Sequence, residues 1–179
     1  SHKVALSLDE EEALGIQSYA EILSQTNLVR SGPDFEMVTR VAQRLAAATG
    51  EHGGEFAWEV SLIDSPDANA FCLPGGKIAV FTGILPITQD EDGLAAVMGH
   101  EMAHAIARHA SQRIFRQQAV QVAMLGVQGS VGQMDYESQR MLMGLLGAGA
   151  QFGVVLPFSR EHESEADYMG TLYMARAGY

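Results

Sequence analysis

Apolar residues recur at helical spacing in two N-terminal stretches. From about residue 8 to 25 an acid-led segment sets Leu14, Tyr19, Ile22 and Leu23 on one side, the stripe of an amphipathic helix. After Gly32-Pro33-Asp34 the pattern returns with Phe35, Val38, Val41 and Leu45 and ends near Gly50, a residue suited to a helix C-terminus. Residues 56–63 alternate in part and are rich in aromatic and branched side chains before the turn Ser65-Pro66-Asp67, which predicts a strand. Lys77–Phe81 predicts another, reached through the bend Pro74-Gly75-Gly76. A further helix starts at Asp90-Glu91-Asp92 and turns apolar from Leu94, acidic residues being favoured at a helix N-terminus. Small residues at Ala95, Ala96, Gly99, Ala103 and Ala107 would let another element approach this helix closely, so it is expected to be buried.

Residues 119–158 are softer, being rich in Met, Gly, Val and Leu. Within them residues 141–158 have Gln151 as the one strongly polar side chain. That run reaches the lower length for a membrane span, but Gly144, Gly147, Gly149, Gly153 and Pro157 weaken it as a helix. The polar stretch from Met134 to Arg140 divides the region, so a helical hairpin covering a cleft or packing on the core is expected. Peripheral membrane contact through 141–158 is the alternative. A chain of 179 residues suits one domain, 1–179, able to bury about 70% of its unfolded surface. Its net charge of −11 would repel a nucleic-acid backbone or an anionic lipid surface. One cysteine, Cys72, allows no internal disulfide, which leaves the redox compartment open.

The chemistry is concentrated in His100-Glu101-Met102-Ala103-His104. Two imidazoles four residues apart lie on one helix face and reach one tetrahedral cation. Glu101, about 100° round the helix, is placed to take a proton from a water polarised there. A metal hydrolase site needs a third protein ligand. The cluster Glu161-His162-Glu163-Ser164-Glu165-Ala166-Asp167 is the candidate region. Glu163 and Asp167 share a face there, so that one carboxylate can bind metal while the other holds a ligand histidine by its second nitrogen. Glu161 and Glu165 point elsewhere. His109 lies five residues after His104, about 140° round a continuous helix, which predicts a hydrogen-bonded or solvent-facing role. Arg160 and His162 adjoin Glu163 and are candidates for orienting it or a reaction intermediate. Cys72 reads as a small buried hydrophobe. As a ligand in a deformylase-like site it would leave Glu163 and Asp167 without a role.

The order of these motifs resembles a known family. Ser159-Arg160-x-x-Glu163-x-x-Ala166-Asp167 after a His-Glu-x-x-His helix, with Asn69-Ala70-Phe71-Cys72-Leu73-Pro74-Gly75-Gly76 before it, is similar to the gluzincin metallopeptidases that include HtpX, BepA and the CAAX prenyl proteases. The likeness is to the soluble, BepA-like bacterial branch. It implies an α+β, mainly helical zincin-like domain with a small sheet whose edge strand lies beside the zinc helix. It makes His100, His104 and Glu163 the ligands of one Zn2+ per chain, Glu101 the catalytic base and Asp167 the support of a ligand. Asn69, Ala70 and Phe71 would form an edge that hydrogen-bonds an extended peptide. The implied substrates are unfolded or misassembled polypeptides, with no obligate partner. The implied setting is quality control in the bacterial cell envelope, periplasmic or membrane-associated, with the natural chain continuing beyond both ends. A latched, chaperone-like binder of unfolded polypeptide with little proteolytic activity is the alternative.

Overall fold

Every residue of Lys77–Phe81 is buried, because this strand, β4, has a neighbour on each side and helices on both faces. A strand in that position reads as an unbroken apolar run rather than an alternating one. The computed structural model describes residues 6–179. In it β4 pairs in parallel with β2 (Glu59–Ile63) and antiparallel with β3 (Ala70–Leu73), while β1 (Leu28–Val29) pairs with β2, giving the order β1-β2-β4-β3. The β3–β4 bend needs its glycines: Gly75 and Gly76 hold φ of 87° and 97°, and a Cβ at Gly76 would lie 2.9 Å from the Trp58 ring.

The sheet separates two apolar clusters. On one face Phe71, Leu73, Ala79 and Phe81 meet α1 (Leu8–Ser24), α5 (His109–Arg116), α6 (Val120–Gln128) and α7 (Tyr136–Leu146). On the other, Leu62, Cys72, Ile78 and Val80 meet α2 (Pro33–Ala48), α4 (Glu91–Ile106) and α8 (Arg160–Ala177). A single turn, α3 (Leu85–Thr88), leads from the sheet into α4. The architecture is α+β and mainly helical with a small mixed sheet, and the edge strand β3 packs beside α4. The helices expected from residue 8 and residue 33 are α1 and α2, started by a capping box between Ser7 and Glu10 and by Pro33 in the first turn.

Residues 119–158 form α6, α7 and short turns, then lead without regular structure into α8. Leu142, Met143, Leu145 and Leu146 point into the core. Among the described residues no helix is long and apolar enough to cross a membrane. Arg113, itself buried, ties this region to α5. Its Nε donates to the Leu145 carbonyl at 3.0 Å, its Nη2 to that of Gly144 at 3.0 Å and its Nη1 to that of Leu156 at 2.6 Å. A guanidinium carries donors for all three.

The start of α4 is anchored separately. Glu91 accepts two bonds from Arg40 at 2.6 and 3.1 Å and one from the Tyr179 hydroxyl at 2.6 Å. Bonding to Arg40 first, and to Tyr179 second, holds its carboxyl down to about 2 from the usual 4.5. A carboxyl lowered on folding stabilises the native state above its unfolded pKa and loses that contribution as pH falls towards the folded value. Glu91→Gln is therefore expected to cost about 1 kcal/mol or less near neutrality, since Arg40 is exposed. The difference from wild type should shrink between pH 4.5 and about 2; urea melts of both proteins across that range check it.

Candidate metal centre

The sequence starts α4 with Asp90, whose carboxylate accepts from the Gly93 N–H at 2.8 Å, and α8 with Ser159, whose hydroxyl accepts from the His162 N–H at 3.2 Å. Both are N-caps. His100 and His104 then lie one turn apart on α4, and Glu163 and Asp167 one turn apart on α8. The two helices meet glycine to glycine. A Cβ at Gly170 would stand 3.0 Å from the carbonyl carbon of Gly99 and from the backbone nitrogen of His100, so the absence of side chains is what brings the carboxylates up to the imidazoles.

The nitrogen Nε2 of His100 and that of His104 are 3.2 Å apart. Glu163 sets Oε2 3.0 Å from the first and Oε1 3.0 Å from the second. Donors around a tetrahedral zinc, bound at about 2.0–2.2 Å, sit roughly 3.3–3.5 Å from one another, so the three residues are spaced for such an ion. Their proton content fits as well. Oδ1 of Asp167 is 2.8 Å from Nδ1 of His100; this carboxylate holds a proton on Nδ1, and in the neutral ring Nε2 is then the nitrogen with a lone pair for a metal. Burial first, and then the charges His100, His109, Arg113 and His162 can carry, push the pKa of His104 down to about 3. That keeps its ring neutral, as a metal ligand must be. Two lone pairs and a carboxylate converging on one point are satisfied by a cation. One donor atom each from His100, His104 and Glu163 lies within 4.8 Å of the others.

The family model for peptidase family M48 matches residues 33–179. The chain belongs to peptidase family M48. It is 39% identical over 175 residues to the mitochondrial metalloendopeptidase OMA1 of Schizosaccharomyces pombe, covering 96% of this chain and 49% of that protein. It is 38% identical over 134 residues to OMA1 of Arabidopsis thaliana, covering 75% and 26%. It is 25% identical over 177 residues to the beta-barrel assembly-enhancing protease of Escherichia coli, covering 97% and 36%. The chain thus spans half or less of the length of these relatives. The expectation of a bacterial cell-envelope location does not survive the comparison: relatives at 38–39% identity are mitochondrial metalloendopeptidases, whereas the bacterial beta-barrel assembly-enhancing proteases match at 25–28%. The motifs that suggested the envelope are those of a metal site and carry no address.

Around the three donors this M48 chain builds a cleft of about 240 Å³. Glu101 faces it from α4. Burial, and secondly the charge of Glu163, push its carboxyl up to about 8, where it exchanges protons readily near neutral pH. Asn69 and Ala70 line one wall, and Nδ2 of Asn69 is buried with no hydrogen-bond partner. Phe71, expected beside them as a substrate contact, is turned away. It is 1% exposed, packs against Phe81 with ring centroids 6.1 Å apart, and pairs with Ala79, because alternate residues of a strand face opposite sides. Arg160 is exposed on the first turn of α8 and does not line the cleft. His162 is buried behind the site, with Nε2 2.9 Å from Oε1 of Gln112 and its ring stacked on His109 at 4.1 Å; neither residue is placed to orient an intermediate. Cys72 lines the cleft as a buried thiol whose pKa burial raises, outside the convergent group.

His109 takes the hydrogen-bonded role expected of it, but not along a continuous helix. α4 stops at Ile106, and Arg108 takes the left-handed φ of 61°, an uncommon choice for a residue with a side chain. The turn is held by Arg108 Nε donating to Glu11 at 2.6 Å and Nη2 to the Leu6 carbonyl at 2.6 Å. The break presents Nδ1 of His109 2.8 Å from Nδ1 of His104. On its other side the His104 ring stacks on Phe158 at 4.2 Å, and the Arg113 guanidinium lies 3.8 Å from the Phe158 ring centre. No local pattern announces Phe158 or Arg113, since both reach the site only through the α5–α7 packing.

Gly170→Val should force α4 and α8 apart. A loss of about 1–3 kcal/mol in unfolding free energy is expected from the overpacking, together with weaker metal binding because Glu163 retreats from the histidines. Denaturation curves and zinc titration of the variant check both.

Proposed function

We propose that this chain is a zinc-dependent endopeptidase acting on internal peptide bonds of unfolded or misassembled polypeptides. The observation that carries the reading is the convergence of two Nε2 lone pairs and the Glu163 carboxylate within bonding reach of one small cation. His100, His104 and Glu163 hold one Zn2+ per chain, with Asp167 fixing the His100 ring. Bound zinc supplies a Lewis acid that polarises the scissile carbonyl and makes water a nucleophile near neutral pH. Glu101 takes the proton of the attacking water and returns it to the leaving amine.

Substrate placement follows from β3. Asn69, Phe71 and Leu73 face β4 in the hydrogen-bonded register, as the 3.0 Å bond from the Phe81 N–H to the Asn69 carbonyl indicates. The backbone groups of Ala70 and Cys72 therefore point outward, along the cleft those residues line, where an extended peptide can add as a further strand. Asn69 Nδ2, without a partner in the protein, is a donor for a peptide carbonyl. Only a chain free to extend can pair in this way, which favours unfolded substrates. Identity to the OMA1 metalloendopeptidases exceeds that to the beta-barrel assembly-enhancing proteases, which supports grouping the chain with the former.

Elemental analysis should find one zinc per chain in the wild type and little in Glu163→Gln. Glu101→Gln should keep its zinc while cleavage of unfolded casein falls about 10²–10⁴-fold. Wild type that holds zinc without cleaving would replace this reading with the latched, chaperone-like binder. Wild type that takes up no zinc would overturn it altogether.

A further inference from the structure

The two histidines of the site are held from behind in different ways. His100 has a carboxylate directly on Nδ1, from Asp167. His104 has another histidine: its Nδ1 is 2.8 Å from Nδ1 of His109, and Nε2 of His109 is 2.5 Å from Oε1 of Glu165. His109 is 0% exposed, and its ring stacks on that of His162 at 4.1 Å and 12°, so it has little freedom to turn. We propose that His109 and Glu165 form a relay that sets the tautomer and orientation of His104, and thereby positions it for metal.

The direction of the relay follows from what each atom can do. A carboxylate accepts, so Nε2 of His109 donates to Glu165. In the neutral ring its Nδ1 is then the acceptor. The only proton available to the short Nδ1–Nδ1 bond is that of His104, which leaves Nε2 of His104 with its lone pair facing Glu163 and His100. Reversing the bond would put the proton of His104 on Nε2, aimed into the centre and closed to a metal. A neutral His109 donating through Nδ1 would turn a bare Nε2 towards the Glu165 carboxylate, which that negative charge disfavours, and a doubly protonated His109 would bury a positive charge at a position with 0% exposure. α8 thus contributes carboxylates to both histidines: Glu163 to the centre, Asp167 behind His100, and Glu165 from another side of the helix behind His104. Buried partners behind metal ligands typically change affinity 10–100-fold when removed.

The inference rests on the proposed metal site, and its test keeps the two apart. Zinc affinity would be measured by competition with a chromophoric chelator for wild type, His109→Leu, His109→Asn, Glu165→Gln and the double variant His109→Leu/Glu165→Gln. Visible spectra of the cobalt-loaded proteins would report ligand geometry, and melts of the metal-free proteins would report folding. His109→Leu is expected to bind zinc about 10–100-fold more weakly. His109→Asn, which keeps an acceptor near the Nδ1 position, should recover part of the loss. Glu165→Gln should weaken binding by less, and the double variant should be no worse than His109→Leu, because the two residues act in series. The cobalt spectrum should change in His109→Leu more than in His109→Asn. Unchanged affinity and spectrum in a folded His109→Leu would overturn the relay while leaving the metal site standing. If His109→Leu does not fold, Glu165→Gln decides, and full affinity there overturns the relay. A wild type that binds no zinc would overturn the metal site itself.

Discussion

The close approach of α4 and α8 at Gly99 and Gly170 governs the rest of the molecule. A methyl group on either glycine would meet the partner backbone at 3.0–3.2 Å, and helix axes separated by even one side chain would leave Glu163 short of the histidines. Residues spaced by four on each helix then face each other in pairs. One contact therefore aligns two donors from α4 with two carboxylates from α8, and sets the distance between them at the scale of metal coordination.

Everything else in the core serves to hold those two helices against the sheet. β4 is buried on both faces and receives α4 and α8 on one side and α1, α5 and α7 on the other. β3 is left at the edge beside α4 with the outward backbone groups of Ala70 and Cys72 unclaimed by β4. An unpaired strand edge is a hazard in most proteins. Here it runs into the cleft, whose opposite wall is built from Leu146, Gly147, Leu156, Pro157 and Phe158. The region 119–158 is thus structural and site-forming at once, since Arg113 fixes its carbonyls and stacks on the ring that covers His104.

The centre itself is electrostatically frustrated in a useful way. Acceptors that converge without intervening hydrogens raise the free energy of the fold. A bound cation would convert that cost into affinity. Burial first, and neighbouring charges second, raises the carboxyl of Glu101 and lowers the pKa of His104, so the groups that need to exchange or withhold protons near neutral pH are set to do so by their surroundings.

The linear pattern determined the parts whose physics is local. Helical and alternating periodicity placed α1, α2, α4 and β4 because burial of one face or of both is written in side-chain spacing. The His-Glu-x-x-His spacing likewise put two imidazoles on one helix face, and Glu163 and Asp167 share a face of α8 for the same reason. Tertiary structure decided what depends on contacts distant in the chain. Phe71 turned into the core because β3 pairs with β4 in one register and not the other. His109 came behind His104 because α4 ends at a left-handed Arg108 that is bonded to Glu11 and Leu6, partners far away in sequence. Angles reckoned along a continuous helix fail at such a break. Glu165, Gln112 and Phe158 joined the surroundings of the site only once α5, α7 and α8 had packed together, and no spacing within one segment carries that information.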